Sequence, residues 1–257
     1  MSTGAQGQLI KRVTAVLRTI SAHEPHGVTT SEAARETDLA RPTVHRLLSS
    51  LTDEGLVDRD AATGRWTLGP ELYLLGSLAS MRYDITDLAG DVVRELARAT
   101  GESAFLSARR GDETVCLLRE EGSFPLRSHV LHIGIRLPLG VASAGLVILS
   151  HMPDPEIDAY LSRVDLVPEW GPQHSREELG KRIEATRLTG YAVNPALLVE
   201  GSWGLGAAVF DHRGAPTWAL SLTGVESRFR PDRIPELGEA LLDGAHRLTQ
   251  RLRQRGR

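Results

Sequence analysis

Residues 29–65 read TTSEAARETDLARPTVHRLLSSLTDEGLVDRDAATGR, and their grammar is that of a winged helix-turn-helix. Thr29 and Glu32 have the spacing of a capping box, which starts a short helix over 31–37. Asp38-Leu39-Ala40 supplies a corner of the length this motif needs. Pro42 suits the first turn of a second helix, because its missing N–H costs nothing there and its fixed φ is already helical. Val44, Leu47, Leu48 and Leu51 recur at i, i+3, i+4 and i+7, so one stripe packs inward until Gly55 stops the helix. Arg46 and Ser49 fall on the opposite arc, with Arg41, Thr43, His45 and Ser50 at the leading end or flanks. These side chains are rich in donors and suit base edges and phosphates. Residues 56–59 and 65–68 read as two strands joined by the turn 60–64, a hairpin that forms the wing and carries Arg59 and Arg65.

Net charge does not single this region out. Eight basic and eight acidic side chains share the first seventy residues, so a basic-domain criterion fails and placement has to carry the reading. Arg41, Arg46, Arg59 and Arg65 fall on the helix's leading end and the wing, whereas Asp53, Glu54 and Asp58 cluster away from that end. Upstream, Leu9, Val13, Val16, Leu17 and Ile20 form a helical stripe over 8–21 that closes a three-helix core, with Lys11 and Arg12 placed to touch backbone phosphate. Val28 is a short strand partner for the wing.

The chain has 257 residues, 41% of them hydrophobic, enough for two domains with a core each. A formal charge of −3 gives no global pull toward nucleic acid or membrane, so any affinity for DNA is local. The single cysteine, Cys116, lies in an apolar strand and reads as a buried filler. The start MSTGAQGQLIKRV lacks an apolar signal core, and no apolar run approaches a spanning length, so a cytoplasmic protein without membrane contact is expected.

The pattern predicts an α+β chain: a winged helix-turn-helix over 1–69, a linker helix over 70–82 and a second domain over 83–257. The linker stripe of Leu72, Leu75, Gly76 and Ala79 is larger than a spacer needs, which suggests packing on another subunit. A long helix from Asp84 to a stop at Gly101 follows, then strands over 103–109, 113–120 and 126–133 of one antiparallel meander. Residues 134–146 read as a loop running into a helix start made of small residues, whose free N–H groups suit a carboxylate. Helices are expected from Asp154 to Arg163 and from a Ser175/Glu178 capping box to Gly190, then strands over 191–193, 204–210 and 217–223 and a last helix over 231–253.

In this order, TVHRLL, TGRWTLGP, RLPLGVASAGLVIL, GYAVNPALLVEGSWGLGAAVFD and WALSLTG resemble the IclR family of bacterial transcription regulators, over nearly the whole chain from Leu9 to Leu252. The resemblance implies a GAF-like C-terminal domain, an antiparallel sheet flanked by helices, that binds a small carboxylate effector. It also implies a double-stranded DNA operator, and homodimers that can pair into tetramers, with no cofactor. Carried over by motif, the effector pocket falls on Leu126, His129, Leu137, Ser143, Ala144, Asn194, Gly204, Ser221 and Thr223. Ser221 and Thr223 are i and i+2 on a strand, so both hydroxyls face one side. The family commonly has histidine, lysine and cysteine where this chain has Gly140, Leu146 and Gly204, and an acidic pair where it has Asn194-Pro195. Lost side chains at Gly140 and Gly204 predict extra room, hence an effector larger than a two- or three-carbon acid, an aromatic acid among them. Leu126, Leu137 and Trp203 are expected as its apolar walls, unless Trp203 and Trp218 point to the opposite face as core residues.

Two other chemistries were weighed. A hydrolase built on Ser143 needs Gly-x-Ser-x-Gly, and Val141 stands where the first glycine must allow the sharp turn. A metal held by His129 and His132 is disfavoured because i and i+3 on a strand point to opposite faces.

Overall fold

The computed structural model describes residues 3–80, 85–126 and 130–255, with side chains from 7 to 78 in the first stretch. Contacts divide the chain into Met1–Tyr83 and Asp84–Arg257.

The first unit holds α1 (Thr3–Ala22), α2 (Thr30–Thr37), α3 (Arg41–Asp53), β1 (Val57–Arg59), β2 (Trp66–Leu68) and α4 (Pro70–Ser80). Local signals set its boundaries. The Glu32 N–H donates to the Thr29 hydroxyl at 3.2 Å and the Thr29 N–H donates to the Glu32 carboxylate at 2.7 Å, so the capping box forms and α2 starts beside it. Asp38 takes the left-handed conformation at φ 52°, which an aspartate tolerates, and turns the chain toward α3. Val16 and Ile20 of α1, Ala33 of α2, and Val44, Leu48 and Leu51 of α3 close a core with Val57 and Trp66. Val28 forms the expected bridge, exchanging both backbone hydrogen bonds with Trp66 at 3.0 and 2.8 Å. On α4, Tyr73, Leu74, Leu75 and Leu78 are each more than half exposed.

The second unit runs α5 (Ile85–Thr100), β3 (Ser103–Arg110), β4 (Glu113–Glu120), β5 (Arg136–Pro138), α6 (Ser143–Ser150), α7 (Asp154–Arg163), α8 (Val167–Trp170), α9 (Arg176–Thr189), β6 (Tyr191–Pro195), β7 (Ser202–Phe210), β8 (Pro216–Val225) and α10 (Ile234–Arg255). Its six strands form one antiparallel sheet in the order β5-β4-β3-β8-β7-β6. Strand alternation splits the apolar residues between two layers. Leu106, Leu205, Ala207, Leu220 and Leu222 pack under α5 and α10, while Ala192, Ala208 and Ala219 pack under α6. Arg251 grips Asp91 through two hydrogen bonds of 2.7 and 2.8 Å, tying α10 to α5. Cys116 is buried, and burial pushes its thiol up to about 12, as an inert filler requires.

Two expectations are corrected. The third strand of the meander is Arg136–Pro138, and the described residues of 126–133 form no strand. That edge strand pairs for only three residues, the last of them Pro138, which has no N–H to continue a ladder, so its sequence reads as loop. At α9 only half of the capping box forms: Ser175 Oγ accepts from the Glu178 N–H at 3.4 Å, while the Glu178 carboxylate takes a hydrogen bond from Lys181 at 2.7 Å. The two readings open for the tryptophans divide: Trp218 packs against the α5/α10 core, while Trp203 packs against that core and also borders a small cavity beside Ser143.

Candidate DNA interface and effector site

The leading end of α3 is open. Ala40 provides no side-chain cap, and Pro42 occupies the first turn. Arg41, His45 and Arg46 are exposed, Thr43 and Ser49 half-buried, and Arg12 on α1 half-buried. Arg12, Arg41 and Arg46 make no ion pair among the described residues. Uncapped backbone N–H groups beside free cations make an anion-attracting end, the chemistry a phosphate backbone needs.

The two wing arginines differ. Arg59 is exposed and lies over the Trp66 ring, its guanidinium carbon 5.2 Å from the centroid. Arg65 turns inward: its Nη1 donates to Gly27 O at 3.0 Å and to Glu32 Oε2 at 3.1 Å. Arg65, placed among the DNA contacts by sequence, is therefore first a latch from the wing to α2. The Thr29 hydrogen bonds, and secondarily the Arg65 charge, hold the Glu32 carboxyl below its ordinary range. Trp66 adds a second latch by donating from Nε1 to the Thr30 hydroxyl at 3.0 Å. Sequence reading missed Trp66 as a support, although an aromatic residue opposite Arg59 in a hairpin was a usable signal.

In the second unit, α6 begins at Ala142, again without a side-chain cap. Its first intrahelical bond runs from Leu146 N to Ala142 O, leaving the N–H groups of Ser143, Ala144 and Gly145 ahead of it. This end sits on β7, where a Cβ added to Gly206 would come within 2.8 Å of the Ser143 carbonyl, so only glycine allows the approach. Next to it the described residues enclose a cavity of about 20 Å³ bordered by Ala142, Ser143, Asn194, Gly204 and Thr223, with Leu131, Leu198 and Trp203 as apolar walls. Ser221, opposite Gly206 in the ladder, is completely buried and its hydroxyl has no hydrogen-bond partner among the described residues.

The structure thus brings Ser143, Ala144, Asn194, Gly204, Ser221 and Thr223 into one neighbourhood, but several details differ from expectation. Leu126 is 65% exposed and is no pocket wall. Leu137 does not border the cavity; it packs with Phe105, Cys116 and Leu179 in the apolar cluster that also holds the cavity walls Leu131 and Leu198. His129 lies outside the described residues, and with it the His129/His132 metal reading. Asn194 borders the cavity, yet its amide is spent on structure, donating to Val141 O at 2.7 Å and accepting from Leu197 N at 3.1 Å. The glycines open no room: a Cβ at Gly140 would meet Leu179 at 2.7 Å, and one at Gly204 would meet Ser143 Oγ at 3.2 Å. Neighbours have filled both places. Leu198 and Ser202 also border the cavity and were missed. Ser202 could have been found, being i−2 to Gly204 on the same strand face.

A winged helix-turn-helix followed in the chain by a sheet unit with a small cavity is the build of a two-domain transcription regulator. Comparison with known proteins makes this particular. The IclR helix-turn-helix domain pattern matches residues 9–61, and that of the bacterial transcriptional regulator IclR C-terminal matches residues 78–250. The chain is 33% identical over 231 residues to the HTH-type transcriptional regulator KipR of Bacillus subtilis (strain 168), covering 90% of this chain and 91% of that protein. The Thermotoga maritima IclR structure shares the fold at a TM-score of 0.74 and 27% identity, covering 96% of this chain and 99% of that one. An IclR homologue from Microbacterium hydrocarbonoxydans, solved with 4-hydroxybenzoate, shares the fold at 0.77 and 23% identity, covering 95% and 99%. The chain belongs to the IclR family. Its relatives are transcription regulators and repressors, not enzymes.

Proposed function

We propose that this regulator binds a palindromic operator as a homodimer, able to pair further into tetramers, and that a small carboxylate held in the second unit controls that binding in the cytoplasm. The observation that carries the effector reading is the start of α6, where uncapped N–H groups lie at a small, mostly apolar cavity beside a buried Ser221 hydroxyl without a partner among the described residues. Partial positive charge at the helix end favours an anion, and the hydroxyls of Ser143, Ser221 and Thr223 add directed hydrogen bonds. The apolar flank of α4, with Tyr73, Leu74, Leu75 and Leu78 exposed, supports pairing with a second copy.

The volume argument for an aromatic acid does not hold, because Gly140 and Gly204 are packed against Leu179 and Ser143. The proposal is a small carboxylate of unspecified size, and the 4-hydroxybenzoate bound by a fold neighbour puts that acid in the test set. The test is a thermal-shift screen with acetate, lactate, benzoate and 4-hydroxybenzoate, since a ligand that binds only the folded state raises the melting temperature by mass action. A shift that disappears in Thr223→Val supports the site, and an unresponsive protein across a full panel of carboxylates sinks it.

For DNA, Arg41, Thr43, Arg46 and Ser49 are assigned to the major groove, with Arg12 on the flanking backbone. A dimer reads half-sites about 10 base pairs, or a multiple, apart. Arg46→Ala should weaken operator binding by about 1–3 kcal/mol and relax specificity at one base position. A uniform loss on all sequences would make Arg46 a phosphate contact instead, and footprinting of a single unsymmetrical site would refute the palindrome.

A further inference from the structure

We propose that His45 and Arg59 form one phosphate-binding notch, built on the ring of Trp66, that grips a single backbone phosphate where α3 meets the wing. It rests on the assignment of this unit to DNA and names a device within it. Arg59 and Trp66 are directly opposed in the β1–β2 ladder, so their side chains leave the same face of the hairpin. Val57, two residues before Arg59, shows which face that is: it is buried in the core among the three helices. Trp66 fills that core and is 3% exposed, pinned through Nε1 to Thr30. At the rim above it two exposed side chains from different elements meet the same ring. The Arg59 guanidinium lies over it at 5.2 Å, and the His45 imidazole stands edge-on, with centroids 6.3 Å apart and planes at 88°.

A guanidinium lying over an indole keeps its N–H donors free for an anion, and an imidazole N–H adds another. Nearby acids are already committed. Asp60 Oδ1 accepts from Ala62 N at 3.1 Å, Thr63 N at 2.6 Å and Thr63 Oγ1 at 2.7 Å inside the wing turn. Glu32 is held by Thr29 and Arg65. Asp58 alternates to the outer face of the hairpin. Two donors without an acidic partner among the described residues, set on one rigid ring at the helix–wing junction, fit a phosphodiester. Trp66 is then a positioning residue, which fixes the spacing of the pair and touches no DNA itself.

Because phosphate contacts do not depend on sequence, mixed-sequence duplex DNA and the full chain suffice for the test. Each neutralised phosphate contributes about 0.9 to the slope of log K against log salt. Arg59→Ala should lower the slope by about 0.9, and His45→Ala should weaken binding. The double variant should again lower the slope by about 0.9 rather than about 1.8, with an affinity loss smaller than the product of the single losses. Trp66→Leu, which keeps an apolar core residue but removes the wide ring, should reproduce the double variant's slope with both donors present; a melting curve checks that the unit still folds. If the wild type binds but the losses multiply with a slope change of about 1.8, or both single variants bind as the wild type does, the notch is wrong and the DNA assignment stands. Wild-type protein without salt-dependent binding to duplex overturns both.

Discussion

Replacing Glu102 with alanine should cost the second unit about 3–5 kcal/mol at the upper bound of a buried cluster, because it removes a buried counter-charge from two partly buried guanidinium groups, 31% and 15% exposed, that other contacts hold in place. Glu102 is 2% exposed, and its Oε1 accepts from Arg228 Nε at 2.8 Å and from Arg233 Nη1 at 2.7 Å. Arg233 also donates to the carbonyls of Thr100 and Arg228, and Arg228 lies over the Phe124 ring at 4.5 Å, so neither arginine can swing to water without breaking other contacts. Removing one partner of such a cluster leaves the others desolvated and unpaired, which costs more than the intact cluster contributes. The surface pair Arg230–Asp232, with side chains 63% and 72% exposed, is the internal control and should be worth at most about 1 kcal/mol. At about 2–4 °C per kcal/mol for a unit of this size, Glu102→Ala should lower the melting temperature by about 6–20 °C. A drop no larger than that of Arg230→Ala would show that the cluster is dispensable.

The cluster also shows where sequence reading stops. Glu102 lies 126 residues before Arg228 and 131 before Arg233, and no periodicity links positions that far apart. The winged helix-turn-helix was legible because its instructions are contiguous: the Thr29/Glu32 cap, Pro42, the stripe from Val44 to Leu51 and the stop at Gly55 each act within a few residues. Arg65 shows the opposite case. Its partners Gly27 and Glu32 lie 38 and 33 residues away, so a wing arginine committed inward looks the same in sequence as one left free. Gly140 and Gly204 mark a different limit. A missing side chain reads as space only if nothing else fills it, and Leu179 and Ser143 do. That Ser143, Ser221 and Thr223 share one neighbourhood was nonetheless legible, because the helix start at Ser143 and the strand parity of Ser221 and Thr223 are local properties. Its volume, set by the packing of distant residues, was not.

Ser221→Ala should raise the stability of the ligand-free protein while abolishing its response to the carboxylate. A buried hydroxyl without a partner costs about 1–3 kcal/mol, and Ser221 Oγ meets that description: the residue is 0% exposed and the oxygen has no hydrogen bond among the described residues. Alanine removes the cost, and the lost oxygen leaves too small a gap to cancel the gain. Polar atoms left unsatisfied in a folded core call for an explanation, and here the position supplies one. Ser221 faces the same side of β8 as Thr223, which borders the cavity, and lies opposite Gly206, where α6 makes its closest approach to the sheet. A hydroxyl held ready there gives up stability in the empty state and recovers it when an anion supplies the acceptor, so the same atom makes the ligand-free protein weaker and the ligand-bound protein relatively stronger. Melting curves of wild type and Ser221→Ala, with and without an acid that shifts the wild type, separate the two effects. A lower melting temperature for ligand-free Ser221→Ala would mean that the hydroxyl is satisfied after all. A higher one with an undiminished acid response would keep the stability argument but move the ligand away from Ser221.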